Sequence, residues 1–369
     1  IITNQSIQNL TGASGTFITI NSGAQFNFGT GSSTTVASTI SGGGSIRKTG
    51  AGTVTLSGSN SYSGGTTLNQ GTLSINADGA LGSSSAAISV TGSSTLKLST
   101  ASVSMNRPIS IADGSTFTID TNGVNLSEAG VISSGTLNTG ALTKINGGTL
   151  TLTGASTYGG VTTISGGTLS LGGSFSCIPN SSSISISSGA TFAITTNQTV
   201  RDITSASGSN ISLGGQLTFG TSNSSNIAST ITGTGPLNKT GTGSATLTGT
   251  NAYSSGTILN QGTLIINADA ALGNSGTTLS VTGTSTLQLI TSSIAGMNRP
   301  IPISDGATFT IDTNGLNLNE AGVISSGASN TGALVKSGAG ILGLTGQNTY
   351  GGGTTISGGE LSLQGSGIL

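Results

Sequence analysis

Histidine is absent from the 369 residues, cysteine occurs once, and charged side chains make up 5% of the chain. Without imidazole there is no Ser-His-Asp or Cys-His arrangement and no histidine ligand for a metal. The one cysteine, Cys177, cannot form an internal disulfide, so packing and backbone hydrogen bonds must hold the fold. A formal net charge of -1 from 9 basic and 10 acidic residues is too little, and too scattered, to grip nucleic acid or an anionic membrane. No run of about 18 apolar residues exists, so no segment here is expected to insert in a membrane as a helix. Leu, Ala, Glu and Lys at helical spacing never form a sustained run, which points away from helical folds.

What is present in quantity is Gly, 63 residues, with Ser, Thr, Asn and small aliphatics. Such a composition also occurs in disordered chains, but here charge is low and the apolar residues alternate, as in strands that bury one face. The chain repeats itself. One passage, ALTKINGGTLTLTGASTYGGVTTISGGTLSLGG from Ala141 to Gly173, has three relatives that begin near Ser45, Pro236 and Ala333. In each, a lysine (Lys48, Lys144, Lys239, Lys336) precedes a tyrosine (Tyr62, Tyr158, Tyr253, Tyr350) at one fixed separation. The lysines recur at near-equal intervals, and all four tyrosines occupy one motif position. Longer matches recur at about twice that interval: Met105-Asn106-Arg107-Pro108 returns at Met297-Asn298-Arg299-Pro300. Two long repeats follow, 1–193 and 194–369, expected to run on as one rod because no Pro-rich or charged linker lies between them.

A shorter beat runs inside the long one. Thr-apolar-x-apolar recurs from Thr53, Thr72, Thr95 and Thr116, then from Thr149, Thr168 and Thr191, at steps of roughly 19–23 residues. In a strand, the second and fourth positions face one side together and make an apolar stripe. Gly, Ser and Asn follow nearly every strand and supply the corners. Hairpins recur at shorter spacing, whereas a step of about 20 residues suits a coil that goes once round and stacks each strand in parallel on the last. The expected fold is all-β, a parallel β-solenoid of roughly 15–18 coils of about 20–24 residues, with Leu, Ile, Val and Phe inside and Thr outside.

The passage Lys48-Thr49-Gly50-Ala51-Gly52-Thr53-Val54-Thr55-Leu56, then Asn60-Ser61-Tyr62-Ser63-Gly64-Gly65-Thr66-Thr67, then Gly71-Thr72-Leu73, resembles the passenger-associated β-strand repeat of bacterial autotransporters. The resemblance extends over the whole repeated passage in each of the four copies. It implies a right-handed parallel β-helix carried by type V secretion to the outer surface of a Gram-negative bacterium, acting in adhesion or autoaggregation. The family motif assigns no catalytic residue. The chain opens Ile1-Ile2-Thr3 with no basic and apolar leader, so an export signal is expected to have been removed or to lie outside this stretch.

The residues offer little chemistry. We assign no catalytic, cofactor-binding or metal-binding residue, and expect a non-enzymatic chain. Asp113 and Asp120 could stack near Glu128 as in a polysaccharide-cleaving β-helix, but Asp-Gly and Asp-x-Asn-Gly more often cap coil corners. The four lysines either satisfy corner carbonyls or pair with an acid. The four tyrosines either cover corners or form a row for sugar stacking. Arg107 and Arg299, each before a proline, are expected to pair with Asp120 or Glu128 and with Asp312 or Glu320. The expected partners are other copies of the chain, meeting through flat Ser/Thr/Asn-rich faces, and host-surface or matrix glycans and proteins. A second reading is a fibre subunit joined end to end, motivated by the apolar, uncapped ends Ile1-Ile2 and Gly367-Ile368-Leu369.

Overall fold

A computed structural model describes residues 3–365. The two chain ends that motivated end-to-end assembly, Ile1-Ile2 and Gly367–Leu369, lie outside the described residues. The chain forms two compact units, Ile1–Phe192 and Ala193–Leu369. Both are parallel β-solenoids, and together they make about 16 turns. The only helical pieces among the described residues are two single-turn 310 helices, Asp78–Leu81 and Asp269–Leu272. Among the described residues no helix is long and apolar enough to cross a membrane.

In the first unit the longest sheet stacks Thr34–Val36, Thr53–Leu56, Gly71–Ile75, Ser94–Leu98, Thr116–Asp120, Ala141–Ile145, Thr162–Ile164 and Ile184–Ile186. A second sheet runs from Gln5–Ile7 through Ser45–Lys48 and Ile88–Val90 to Ile132–Ser134. The third carries Val103–Met105, Leu126–Glu128, Thr149–Leu152 and Thr168–Leu171. Strand partners are parallel, as in Thr53 beside Thr72 and Thr72 beside Thr95. The next partner of Thr95 is Thr118, not Thr116, so that turn is two positions longer than the motif spacing suggests. The hydrophobic pattern is unchanged by a shift of two, because side chains alternate with period two.

Alternation builds the core as expected. Along Thr149–Leu152 the burial runs half-buried, buried, half-buried, buried, with Leu150 and Leu152 inside. Turn after turn, these residues form columns such as Leu56, Ile75, Leu98 within one unit. Each fully buried Leu or Ile contributes about 1.5–3 kcal/mol, and the parallel ladder satisfies the strand backbone. Glycine is required where a corner of one turn rests on the one before. A Cβ on Gly130 would stand 2.1 Å from the Arg107 carbonyl oxygen, and one on Gly322 would meet the Arg299 oxygen at the same distance.

The winding also fixes where each motif copy falls. Inner positions stacked over Lys48 are Leu68, Val90, Ile111 and Ser134. Lys144 lies further along the chain than Ser134, on the neighbouring sheet. The spacing of the motif copies is therefore not a whole number of turns. Successive copies within a unit start one sheet further round: Lys48 on the second sheet and Lys144 on the longest.

Candidate functional site

Each motif copy builds the same internal socket. Lys48, Lys144, Lys239 and Lys336 point inward and are at most 1% exposed. Their stems continue apolar columns, Lys48 between Phe28 and Leu68 and Lys144 between Ile119 and Ile164. The ammonium then curls to the corner. Lys48 Nζ donates to the carbonyls of Thr49 (2.8 Å), Gly50 (2.7 Å) and Gln70 (3.0 Å). Lys144 does the same to Ile145, Asn146 and Gly166, Lys239 to Thr240, Gly241 and Gln261, and Lys336 to Ser337, Gly338 and Gly358.

The corner is shaped for this contact. The second residue after each lysine is left-handed: Gly50 (φ 69°), Asn146 (59°), Gly241 (70°) and Gly338 (68°). That bend turns two consecutive carbonyls toward Nζ, and only Gly or Asn adopts it cheaply. Three acceptors match the three protons of an ammonium, so the charged form fills the socket. Burial nonetheless pulls Lys48, Lys144 and Lys239 down to about 8. Of the two alternatives the sequence left open, carbonyl satisfaction describes these contacts.

Tyr62, Tyr158 and Tyr253 are fully buried and Tyr350 is 6% exposed, so none can stack on a sugar. Each phenol pairs with a threonine one short step on: Tyr62 with Thr66 at 2.7 Å, Tyr158 with Thr162 at 2.7 Å, Tyr253 with Thr257 at 2.6 Å and Tyr350 with Thr354 at 2.8 Å. Burial raises all four above the usual tyrosine range. Just before the tyrosine sits a bridging side chain whose role the sequence did not reveal. Asn60 Oδ1 accepts from the Ile40 N–H at 2.8 Å while its Nδ2 donates to the Ala80 carbonyl at 2.7 Å, tying three successive turns. Asn251 repeats this with Ile231 and Ala271.

The arginines require a correction. Arg107 and Arg299 are wholly buried, and they pair with Asp78 and Asp269 of the 310 helices rather than with Asp120, Glu128, Asp312 or Glu320. Arg107 Nε and Nη2 reach both Asp78 carboxylate oxygens at 2.5 and 3.0 Å. The remaining protons go to the carbonyls of Asp78, Leu81, Gly82, Ser83 and Ala86. A guanidinium can be buried only with its donors satisfied in this manner. The available signal was the paired Asn76-Ala77-Asp78 and Asn267-Ala268-Asp269, one long repeat apart.

The acids considered for glycan cleavage have separate partners. Asp113 is a half-buried cap that accepts from the backbone of Thr139 and Leu137, and those bonds hold its carboxyl below the usual range. Asp120 accepts from Asn122 and Asn146 and faces Lys97 at 3.8 Å. Glu128 lies inside the solenoid and is fully buried. Among the described residues no pocket forms, and no cluster of three or more acids or Cys could hold a metal.

The outer faces are rows of hydroxyls. On the longest sheet of the first unit, Thr53, Thr72, Thr95, Thr118, Thr143, Thr163 and Ser185 stand side by side through seven successive turns. The second unit has Ser244, Thr263, Thr286, Thr310, Val335 and Thr355 in the corresponding column. Another face of the first unit presents Ser104, Ser127, Thr151 and Ser170. Parallel pairing spaces these hydroxyls by about 4.8 Å.

Inward lysine sockets, buried tyrosines and hydroxyl-lined faces define a repeat-built parallel β-solenoid. The passenger-associated-transport repeat family matches residues 46–75, 142–171, 237–266 and 334–363, so the chain carries four passenger repeats of the autotransporter kind. Over 150 residues it is 37% identical to the protein "Adhesin BmaC autotransporter" of Brucella suis biovar 1 (strain 1330), a stretch that is 40% of this chain and 4% of that relative. The chain thus spans a small fraction of the length of the curated relative it matches. No solved structure matches it. A passenger of this class is displayed outside the cell, on the surface of a Gram-negative bacterium.

Proposed function

We propose that the chain is part of an adhesin-like surface passenger whose working surface is the threonine column of its longest sheet. The observation that supports this reading is the column itself, seven hydroxyl residues on seven successive turns of the first unit with no charged residue among them. Each hydroxyl contact contributes about 0.5–1.5 kcal/mol at best, so affinity must come from a long register of them. A second copy of the chain or an extended host polymer meets that requirement. A small ligand does not. With the tyrosines buried, Phe17 and Phe175 are the large exposed aromatics among the described residues, so recognition is by hydrogen bonding rather than by stacking.

Lateral association through this face is favoured over end-to-end fibre growth, which rests on terminal residues outside the described ones. The test displays the chain on cells and replaces Thr72, Thr118 and Thr163 together by Lys. Cell-cell aggregation and attachment to coated surfaces should both be scored, with Ser110→Lys, on a different sheet, as control. Loss of either property in the triple variant alone supports the reading. If both properties are intact in a triple variant that still folds, the threonine column is not the working surface.

A further inference from the structure

Glu128 and Glu320 stand at equivalent places in the two units, and both are fully buried. Glu128 Oε1 accepts from the Arg107 N–H at 3.1 Å and from the Gly130 N–H at 2.6 Å. Glu320 Oε1 accepts from Arg299 at 3.0 Å and Gly322 at 2.6 Å. The other oxygen, Oε2, has no hydrogen-bond partner in either case. The strand neighbours of Glu128 are Met105 and Leu152, both uncharged. For Glu320 they are Met297 and Leu344.

The charged groups facing Glu128 are Arg107 and Asp78, and those facing Glu320 are Arg299 and Asp269. Each arginine is already neutralised by its aspartate, with every guanidinium bond directed at the 310 helix and the corner after it. The glutamate is thus left beside a pair of near-zero net charge. A carboxylate there would keep a full charge out of water with one oxygen bare, which buried groups avoid by taking up a proton.

We propose that Glu128 and Glu320 are proton-operated clasps, each holding its turn to the Arg-Pro corner of the turn before as a neutral carboxylic acid and loosening that corner when the proton leaves. The proton sits on Oε2, and Oε1 keeps both backbone donors. Burial lifts both carboxyls above the ordinary glutamate range, Glu320 to about 7. Because each folded value lies above the unfolded one, each clasp is fully stabilising below about pH 4.3, and its contribution is lost as pH rises through the folded value, about 7 for Glu320. The solenoid is thereby tightened in acid and loosened as pH rises at one corner of each unit.

The chain contains three glutamates, Glu128, Glu320 and Glu360, so a carboxyl-13C glutamate label gives three resolved titrations. We expect the Glu320 resonance in the full chain to remain largely in the acid form at pH 6 and the Glu128 resonance to titrate above the ordinary glutamate range, each assigned by its disappearance in E320Q or E128Q. Hydrogen exchange of segments 297–300 and 320–324, corrected for intrinsic rates, should lose about tenfold in protection between pH 6 and 8 in the wild type and none in E320Q. Three carboxyls titrating together in the ordinary range would overturn the proposal, and so would equal pH dependence in wild type and variant. Should a glutamine variant fail to fold, the wild-type titration decides alone.

Discussion

Replacing Arg107 by Ala is the sharpest test of how the solenoid is held together. The guanidinium makes two bonds to the Asp78 carboxylate and five to backbone carbonyls, all in or near a corner that has no strand pairing. Removing it strands an acid that is about a quarter exposed, and leaves those carbonyls without their donor. Breaking one side of a buried ion pair costs about 3–5 kcal/mol. That is roughly two to three and a half powers of ten in an opening equilibrium. Two units make a single unfolding midpoint ill-defined, so the measurement is hydrogen exchange by segment. Protection of 78–86 should collapse in R107A while the equivalent 269–277 stays as in wild type, and R299A should reverse the pattern. Neighbouring turns should lose protection progressively, since each turn is stabilised by the next. Protection of 78–86 within tenfold of wild type would refute the role given to Arg107 in holding this corner.

The remaining predictions concern the sockets and caps. Lys144→Met should destabilise the first unit by about 1–3 kcal/mol, seen in urea unfolding, because the carbonyls of Ile145, Asn146 and Gly166 lose their donor. Because the folded value near 8 lies below the unfolded lysine value, the wild-type sockets should become more favourable as pH rises from about 8 to about 10.4, and a lysine-free socket should lose that slope. Tyrosinate absorbance from Tyr62, Tyr158 and Tyr253 should be absent from the folded chain at about pH 10.5 and appear only as the units unfold, since burial raises these phenols well above the usual range. An early rise equivalent to two or more tyrosines would contradict the burial. Asp113 is held below the usual range, so its cap is intact above about pH 3.9 and is lost as pH falls below that. D113N should therefore loosen segment 137–139 at pH 6 and remove the acid dependence of its exchange.

Much of the architecture was legible because it is written locally. Thr-Leu-Thr-Leu at Thr149–Leu152 alternates, and alternation alone says which side chains go in. The recurrence of that pattern at intervals of about 20 residues says that each strand returns to pair in parallel with its predecessor. The Lys-Thr-Gly and Asn-Ser-Tyr passages marked the repeat, and the lysine contacts fall within reach of nearby corner residues, so one of the two readings offered was correct. Asp113 as a corner cap was legible on the same ground, because the side chain answers to turn chemistry.

What only the tertiary structure decided depends on the sum of turn lengths. From Lys48, four turns end at Ser134, and the stretch left over carries Lys144 to another sheet; no single step announces that remainder. The slip at Thr95 and Thr118 has the same origin, since a shift of two preserves the inward pattern and leaves no trace in it. Arg107 was paired with acids that follow it in sequence, whereas its partner Asp78 lies 29 residues before it, on a preceding turn. The sequence by itself determined which residues face inward and that the strands stack in parallel, because period-two alternation and a fixed return length are properties of the chain. Which turn lies against which, and hence which charges meet inside, was settled only by the winding, because a side chain long enough to cross a turn finds partners according to accumulated rotation and not distance along the sequence.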